Sequence, residues 1–219
     1  MNSIQTVYGP VHGKFSNKGN TVISIVPGVV NGAVALAGYG STFAEIGYAN
    51  LLDNSCIRRP DLCEFGTTLS IWFRPYEKNS AFSAKFTPID SGSNLGIGGV
   101  WVEIEETYYG SLHIKTDVRS ENGKFFKQGE DSDVGILSYF VWNHVVVSIS
   151  PAGRNGFATY LNGEFYQKSR DARSWAPGTR YSYFAVCRAY SRLDCDEFVV
   201  WYHEFHADEI QRMYQNYLN

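Results

Sequence analysis

The stretch Gly66-Thr67-Thr68-Leu69-Ser70-Ile71-Trp72-Phe73-Arg74-Pro75 decides the fold. Side chains of an extended chain point alternately to opposite sides, so Leu69, Ile71 and Phe73 share one face and Ser70 and Trp72 the other. Val145, Val147 and Ile149 repeat the pattern within Trp142–Ile149. Further short β-like runs lie between Gly, Asn, Asp and Pro punctuation: Ala33–Leu36, Thr42–Ile46, Val100–Glu105, Ser111–Thr116, Gly156–Leu161, Tyr181–Cys187 and Glu197–Phe205. In Tyr160-Leu161-Asn162-Gly163-Glu164-Phe165, Asn-Gly between apolar runs predicts a type I′ hairpin, whose central residues both need positive φ. Asn122-Gly123 is a weaker cue of the same kind. A helix is predicted over Ala207–Leu218, where Ile210, Met213, Tyr214, Tyr217 and Leu218 form an apolar stripe. Asp208 and Glu209 sit in its first turn, where the helix dipole favours negative charge. It follows the last strand closely and is expected to pack against one end of the sandwich. These elements argue for an all-β, two-sheet antiparallel sandwich with one short C-terminal helix, and periodicity by itself leaves a barrel open.

The 219 residues are 44% hydrophobic, 16% aromatic and 19% charged, with 21 Gly. That is enough apolar surface for a core and excludes global disorder. A net charge of −3 gives no general affinity for nucleic acid or anionic membranes. No run of about 18 apolar residues could span a bilayer. Met1 to Thr6 lacks the basic-then-apolar order of a signal peptide, so an export signal and neighbouring domains are expected beyond this stretch. No composition break marks a linker, and residues 1–219 read as one domain with a core over about 20–218.

The four cysteines fall in two close pairs, neither with CxxC spacing. Three connectivities are open. Local pairing, Cys56–Cys63 and Cys187–Cys195, is the simplest geometry, and it places the chain in an oxidising, extracellular compartment. The alternative is four reduced thiols in a cytosolic protein.

Four segments in order carry a resemblance. They are Pro27-Gly28 through Val30-Asn31-Gly32-Ala33-Val34-Ala35-Leu36-Ala37-Gly38; Cys56…Cys63 followed by Gly66 to Pro75; Trp142-Asn143-His144-Val145-Val146-Val147-Ser148 with Phe157-Ala158-Thr159-Tyr160-Leu161-Asn162-Gly163-Glu164; and Asp196 to Tyr202 with Ala207 to Tyr214. Together they resemble the laminin-G-like members of the concanavalin-A-like jelly-roll superfamily. The resemblance implies a jelly-roll sandwich that acts as an extracellular or cell-surface module binding proteins or glycans. It also makes calcium conceivable, but no cofactor motif stands in the sequence. Asp90 in Ile89-Asp90-Ser91-Gly92-Ser93 and the run Glu130-Asp131-Ser132-Asp133 are the only loop carboxylates to consider, and ordinary turn chemistry accounts for both.

The superfamily also holds glycoside hydrolases, which need two carboxylates at one glycosidic bond. Glu103 and Glu105 project from the same strand face. Aligned on Glu103, the retaining-glucanase pattern E-x-D-x-x-E finds Glu105 for its Asp and Tyr108 for its second Glu. The motif is broken at one of its two catalytic carboxylates, so no catalytic residue is assigned. Of five histidines, His203 and His206 are three apart without a third ligand, and His144 belongs to a strand pattern. A recognition site would present Trp, Tyr and Arg anchors. The segment 168–181 supplies Arg173, Trp175 and Arg180. Tyr108-Tyr109 at Gly110 and Arg58-Arg59 are weaker candidates. The order of readings is an adhesion or recognition module, a secreted glycan-binding lectin, then a glycoside hydrolase. Expected partners are an extracellular protein or glycan.

Overall fold

The computed structural model describes residues 14–17, 22–37, 44–48, 63–76, 85–90, 99–106, 111–119, 125–128, 137–151, 156–169, 184–189 and 191–218. Among them, two antiparallel sheets of seven strands each face one another. The first sheet runs β1 (Lys14–Asn17), β4 (Ala44–Tyr48), β13 (Phe184–Ala189), β6 (Lys85–Asp90), β7 (Gly99–Glu106), β8 (Leu112–Arg119) and β9 (Phe125–Gln128). The second runs β12 (Glu164–Ser169), β11 (Phe157–Leu161), β10 (Asn143–Ile149), β5 (Thr67–Pro75), β14 (Arg192–Trp201), β3 (Gly32–Ala37) and β2 (Val22–Pro27), and α1 (Ala207–Leu218) closes the chain. This is the jelly-roll sandwich the sequence predicts, and α1 has its predicted bounds.

Several strands depart from the sequence reading. β4 and β13 lie two to three residues later than Thr42–Ile46 and Tyr181–Cys187. β14 starts at Arg192 and ends at Trp201, where the sequence suggests Glu197–Phe205. A register shift between Asp196 and Val199, with Glu197 at φ 45°, breaks its alternation in the middle and hides its first half. β6 is not among the runs read from the sequence, and it contains a proline, a residue confined in sheets to edges, strand starts and bulges. Pro88 falls inside a register shift between Phe86 and Ile89, where the ladder to β7 is interrupted. The Asn162-Gly163 hairpin forms as predicted, with φ of 50° and 81° at the two residues. β8 and β9 pair antiparallel around the Asn122-Gly123 cue, whose own turn lies outside the described residues.

The core lies between the sheets. Leu69, Ile71 and Phe73 of β5 and Val145, Val147 and Ile149 of β10 meet Phe86, Ile89, Val102 and Ile104 of the first sheet, all fully buried. The outward face of β5 is buried too. Thr68, Ser70 and Trp72 lie under α1 and the segment that leads into it. Thr68 Oγ1 donates to His203 O (2.7 Å) and accepts from Phe205 N (2.9 Å), and Ser148 Oγ donates to Phe205 O (2.8 Å). The Trp72 ring stacks on His144 (4.6 Å) and on Tyr214 of α1 (5.5 Å). α1 therefore lies across the second sheet, not at one end of the sandwich. A Cβ on Gly163 would come within 2.8 Å of the Tyr214 ring, so glycine here serves both turn and helix packing.

Asp196 ties the first hairpin to the last strand. Its Oδ2 accepts from Val29 N (2.8 Å) and Val30 N (2.9 Å), and a Cβ on Gly28 would fall 2.4 Å from the same oxygen.

Cys187 and Cys195 are disulfide-bonded, joining β13 of one sheet to β14 of the other through the core. Cys187 takes φ 61° inside a β-bulge, which lets it and the adjacent Val186 both face inward. The pair closes a separation of 8 residues, worth about 2.5 kcal/mol in the chain-entropy account. Cys63 is also disulfide-bonded, and Cys56 lies outside the described residues. Replacing Cys187 and Cys195 together by Ser should lower the urea unfolding free energy by about 2–3 kcal/mol. An unchanged midpoint would show that the inter-sheet bond contributes little.

Burial pushes the His144 imidazole down to about 3. An unfolded histidine takes a proton near pH 6.5. Below that pH the unfolded chain binds a proton that the folded chain refuses, so stability falls as pH drops from about 6.5 toward 3. Between about pH 7 and about pH 5 the urea midpoint should therefore fall, and His144→Gln should shrink that fall. Identical slopes in the two proteins would refute the assignment.

Candidate functional site

A corner of the second sheet gathers arginines and aromatic rings around one buried carboxylate. Antiparallel register sets Asp194 of β14 beside Arg74 of β5. Asp194 is fully buried. Its Oδ2 accepts from Arg74 Nε (3.0 Å), Arg74 Nη2 (2.7 Å) and the Tyr76 hydroxyl (2.8 Å), while Oδ1 accepts from Arg192 Nε (3.2 Å). A buried carboxylate with this many donors is compensated, and loss of a partner would leave it exposed to the full desolvation cost. Among the described residues, the corner carries two guanidinium groups against one carboxylate, an excess of one positive charge. Burial, then the hydrogen bond to Asp194, raises the Tyr76 hydroxyl above its ordinary value.

The guanidiniums also stack. Arg192 Cζ lies 4.1 Å from the Tyr76 ring centre, and Arg74 Cζ lies 4.7 Å from that of Trp142. Side-chain exposure is 21% for Arg74 and 42% for Arg192, so both reach solvent.

The turn leading into β10 stands on this platform. Phe140 N donates to Pro75 O (2.9 Å), and the Phe140 ring meets Tyr76 edge-on at 5.5 Å. Asn143, itself buried, donates from Nδ2 to Ser138 O and Val141 O, each at 3.0 Å. The turn is thus held from below and from behind. At its tip Phe140 is 54% exposed and Val141 50%. Phe140 also has φ 63°, a region that costs a bulky L-residue about 1–2 kcal/mol. A large apolar side chain kept exposed in a strained conformation is not explained by stability alone.

The sequence offers a signal for this corner that its reading missed. Tyr139-Phe140-Val141-Trp142 is four consecutive bulky apolar residues just before a strand. Alternation can turn only half of such a run inward. Arg74 and Asp194 were not recognisable, because only strand register brings them together.

The sequence-derived binding residues Tyr108, Tyr109, Arg173, Trp175 and Arg180 lie outside the described residues, as do Arg58, Arg59 and 130–133. Glu103 and Glu105 share the outward face of β7, opposite the core residues Val102 and Ile104. Glu103 is buried there, and Glu105 is ion-paired with Lys115. Asp90 ends strand β6 instead of standing in a loop, is buried, and accepts from Arg188 Nη1 at 3.2 Å. The His203 and His206 side chains are exposed, and no cluster of three or more metal-ligating side chains occurs among the described residues.

A family profile described as the concanavalin A-like lectin/glucanases superfamily matches residues 52–211, and the chain belongs to that family. No curated protein matches the chain. Among solved structures it is similar to the binding domain of Paraclostridial Mosquitocidal Protein 1, at 12% identity and TM-score 0.65, over 94% of this chain and 48% of that one. It is similar to the receptor binding domain of botulinum neurotoxin C/D mosaic serotype, at 15% identity and TM-score 0.64, over 94% and 47%. The Botulinum Neurotoxin Type G Receptor Binding Domain matches at 14% identity and TM-score 0.61, over 94% and 47%. The chain spans about half the length of these structures, and at such identities the likeness is one of fold.

Substituting Asn for Phe140 relieves the left-handed strain, since Asn enters that region readily, and forfeits the edge-on ring contact, worth about 0.5–1.5 kcal/mol. The two nearly cancel. Phe140→Asn should therefore change unfolding free energy by less than about 1 kcal/mol, whereas Phe73→Ala in the core should cost about 3–5 kcal/mol. Comparable losses in both would mean that Phe140 is a packing residue.

Proposed function

We propose that the chain, residues 1–219, is a single laminin-G-like recognition domain within a larger secreted or cell-surface protein, binding a protein or glycan ligand. The observation that carries this reading is the corner of Arg74, Tyr76, Trp142 and Arg192 with Phe140 and Val141 exposed upon it. Arg, Tyr and Trp are the residues that dominate binding interfaces. The rigid turn beneath them reduces the ordering cost of association. The disulfide between Cys187 and Cys195 supports an oxidising, extracellular setting. No helix among the described residues is long and apolar enough to cross a membrane. The structural neighbours named as binding or receptor-binding domains support recognition over catalysis. Arg173, Trp175, Arg180, Tyr108 and Tyr109 remain proposed contacts in addition to those of the corner.

A secreted lectin is the second reading and a hydrolase using Glu103 and Glu105 the third. Against the third stand the broken glucanase motif and the engagement of Glu105 by Lys115. The labelled domain should bind saturably to cell-surface or matrix proteins or to a glycan array, and should leave β-glucans intact. Signal confined to sugars and competed by free sugar would favour the lectin. Hydrolysis that disappears in Glu103→Gln would overturn the binding reading.

A further inference from the structure

Resting on the reading of the chain as a recognition domain, we infer that the Arg74–Arg192 corner docks an acidic protein segment that carries an apolar side chain beside its carboxylate.

Charge decides the first half. Among the described residues, Asp194 is the single carboxylate paired with Arg74 and Arg192, one negative charge against two positive ones. Arg74 and Arg192 spend Nε and Nη2 on Asp194, and Nη1 of each is committed to no described group. Asp194 is fully buried and holds both guanidiniums in place. A carboxylate arriving from solvent would meet fixed donors whose own counter-charge lies behind them. The chain as a whole is negative, at −3, so this local excess runs against the molecule's general field and selects for acidic groups at this place.

Shape decides the second half. Phe140 and Val141 project from a tight turn as a ridge beside the arginines, and Asn143 locks that turn from below. A ridge of one aromatic and one branched aliphatic side chain is complementary to apolar side chains of a partner protein. A sugar would need a flat aromatic face with polar groups directed at its hydroxyls. Here the Tyr76 face is covered by Arg192 and the Trp142 face by Arg74. The platform therefore presents cations beside an apolar ridge. The left-handed φ of Phe140 aims this side chain outward, with one edge on Tyr76 and about half of it in solvent.

The test uses the whole 219-residue chain. Immobilised short peptides pairing Asp or Glu with Phe or Leu are compared with versions carrying Lys for the acids or Ser for the apolar residues. Heparin and hyaluronan oligosaccharides serve as anionic glycan probes. Acidic–apolar peptides should bind, more weakly as salt rises, and both altered sets should fail. Arg192→Gln and Phe140→Asn should each weaken binding about tenfold or more. Phe140→Asn should fold normally by circular dichroism, and Arg212→Gln, at an exposed position on α1, should bind as wild type. Three results would overturn the inference: no retained peptide, binding indifferent to Arg192 and Phe140, or glycan binding through these residues without peptide binding. If the domain still binds its own protein or glycan ligands when the peptides fail, the recognition reading stands and only this occupant is lost.

Discussion

β5 is buried on both faces, and everything else is arranged around that requirement. Leu69, Ile71 and Phe73 need the opposing sheet, and Thr68, Ser70 and Trp72 need a second cover on the outside. Each large apolar side chain removed from water contributes about 1.5–3 kcal/mol. The polar ones must find partners or cost a comparable amount. α1 and the segment before it answer this. They bring Tyr214 onto Trp72 and accept or donate the hydrogen bonds of Thr68 and Ser148. In a strand so enclosed, Arg74 is the one residue that is not buried. Its C-terminal end delivers Arg74 and Tyr76 to the corner with little freedom to move.

Two of the irregular backbone positions have different purposes. The bulge at Cys187 turns two successive side chains inward and lets one covalent bond cross from sheet to sheet. Its benefit is structural. The left-handed turn at Phe140 does the reverse, holding a bulky ring in solvent. The first serves a covalent link inside the fold, and the second leaves an apolar ring half exposed. That contrast separates the corner from the ordinary irregularities of a jelly roll.

Much of the architecture was legible. Period-two patterning located β5, β7, β10 and β11, the Asn162-Gly163 hairpin followed from its φ demand, and the helical stripe fixed α1. β6 was lost to Pro88 and the first half of β14 to its bulge, because local rules describe unbroken ladders. The site was far less legible. Trp175 and its neighbours were chosen for composition, and they fall outside the described residues. Arg74 and Trp142 were visible only as parts of strand motifs.

The sequence by itself determined an all-β chain with a terminal helix, because hydrophobic alternation and turn chemistry are local properties. It also determined that Cys187 and Cys195 lie close enough along the chain to pair. Only the tertiary structure decided that their bond joins opposite sheets, that α1 covers β5 instead of capping an end, and that Arg74, Arg192 and Tyr76 converge on Asp194. Arg74 and Asp194 are 120 residues apart in the chain, and strand register alone makes them neighbours.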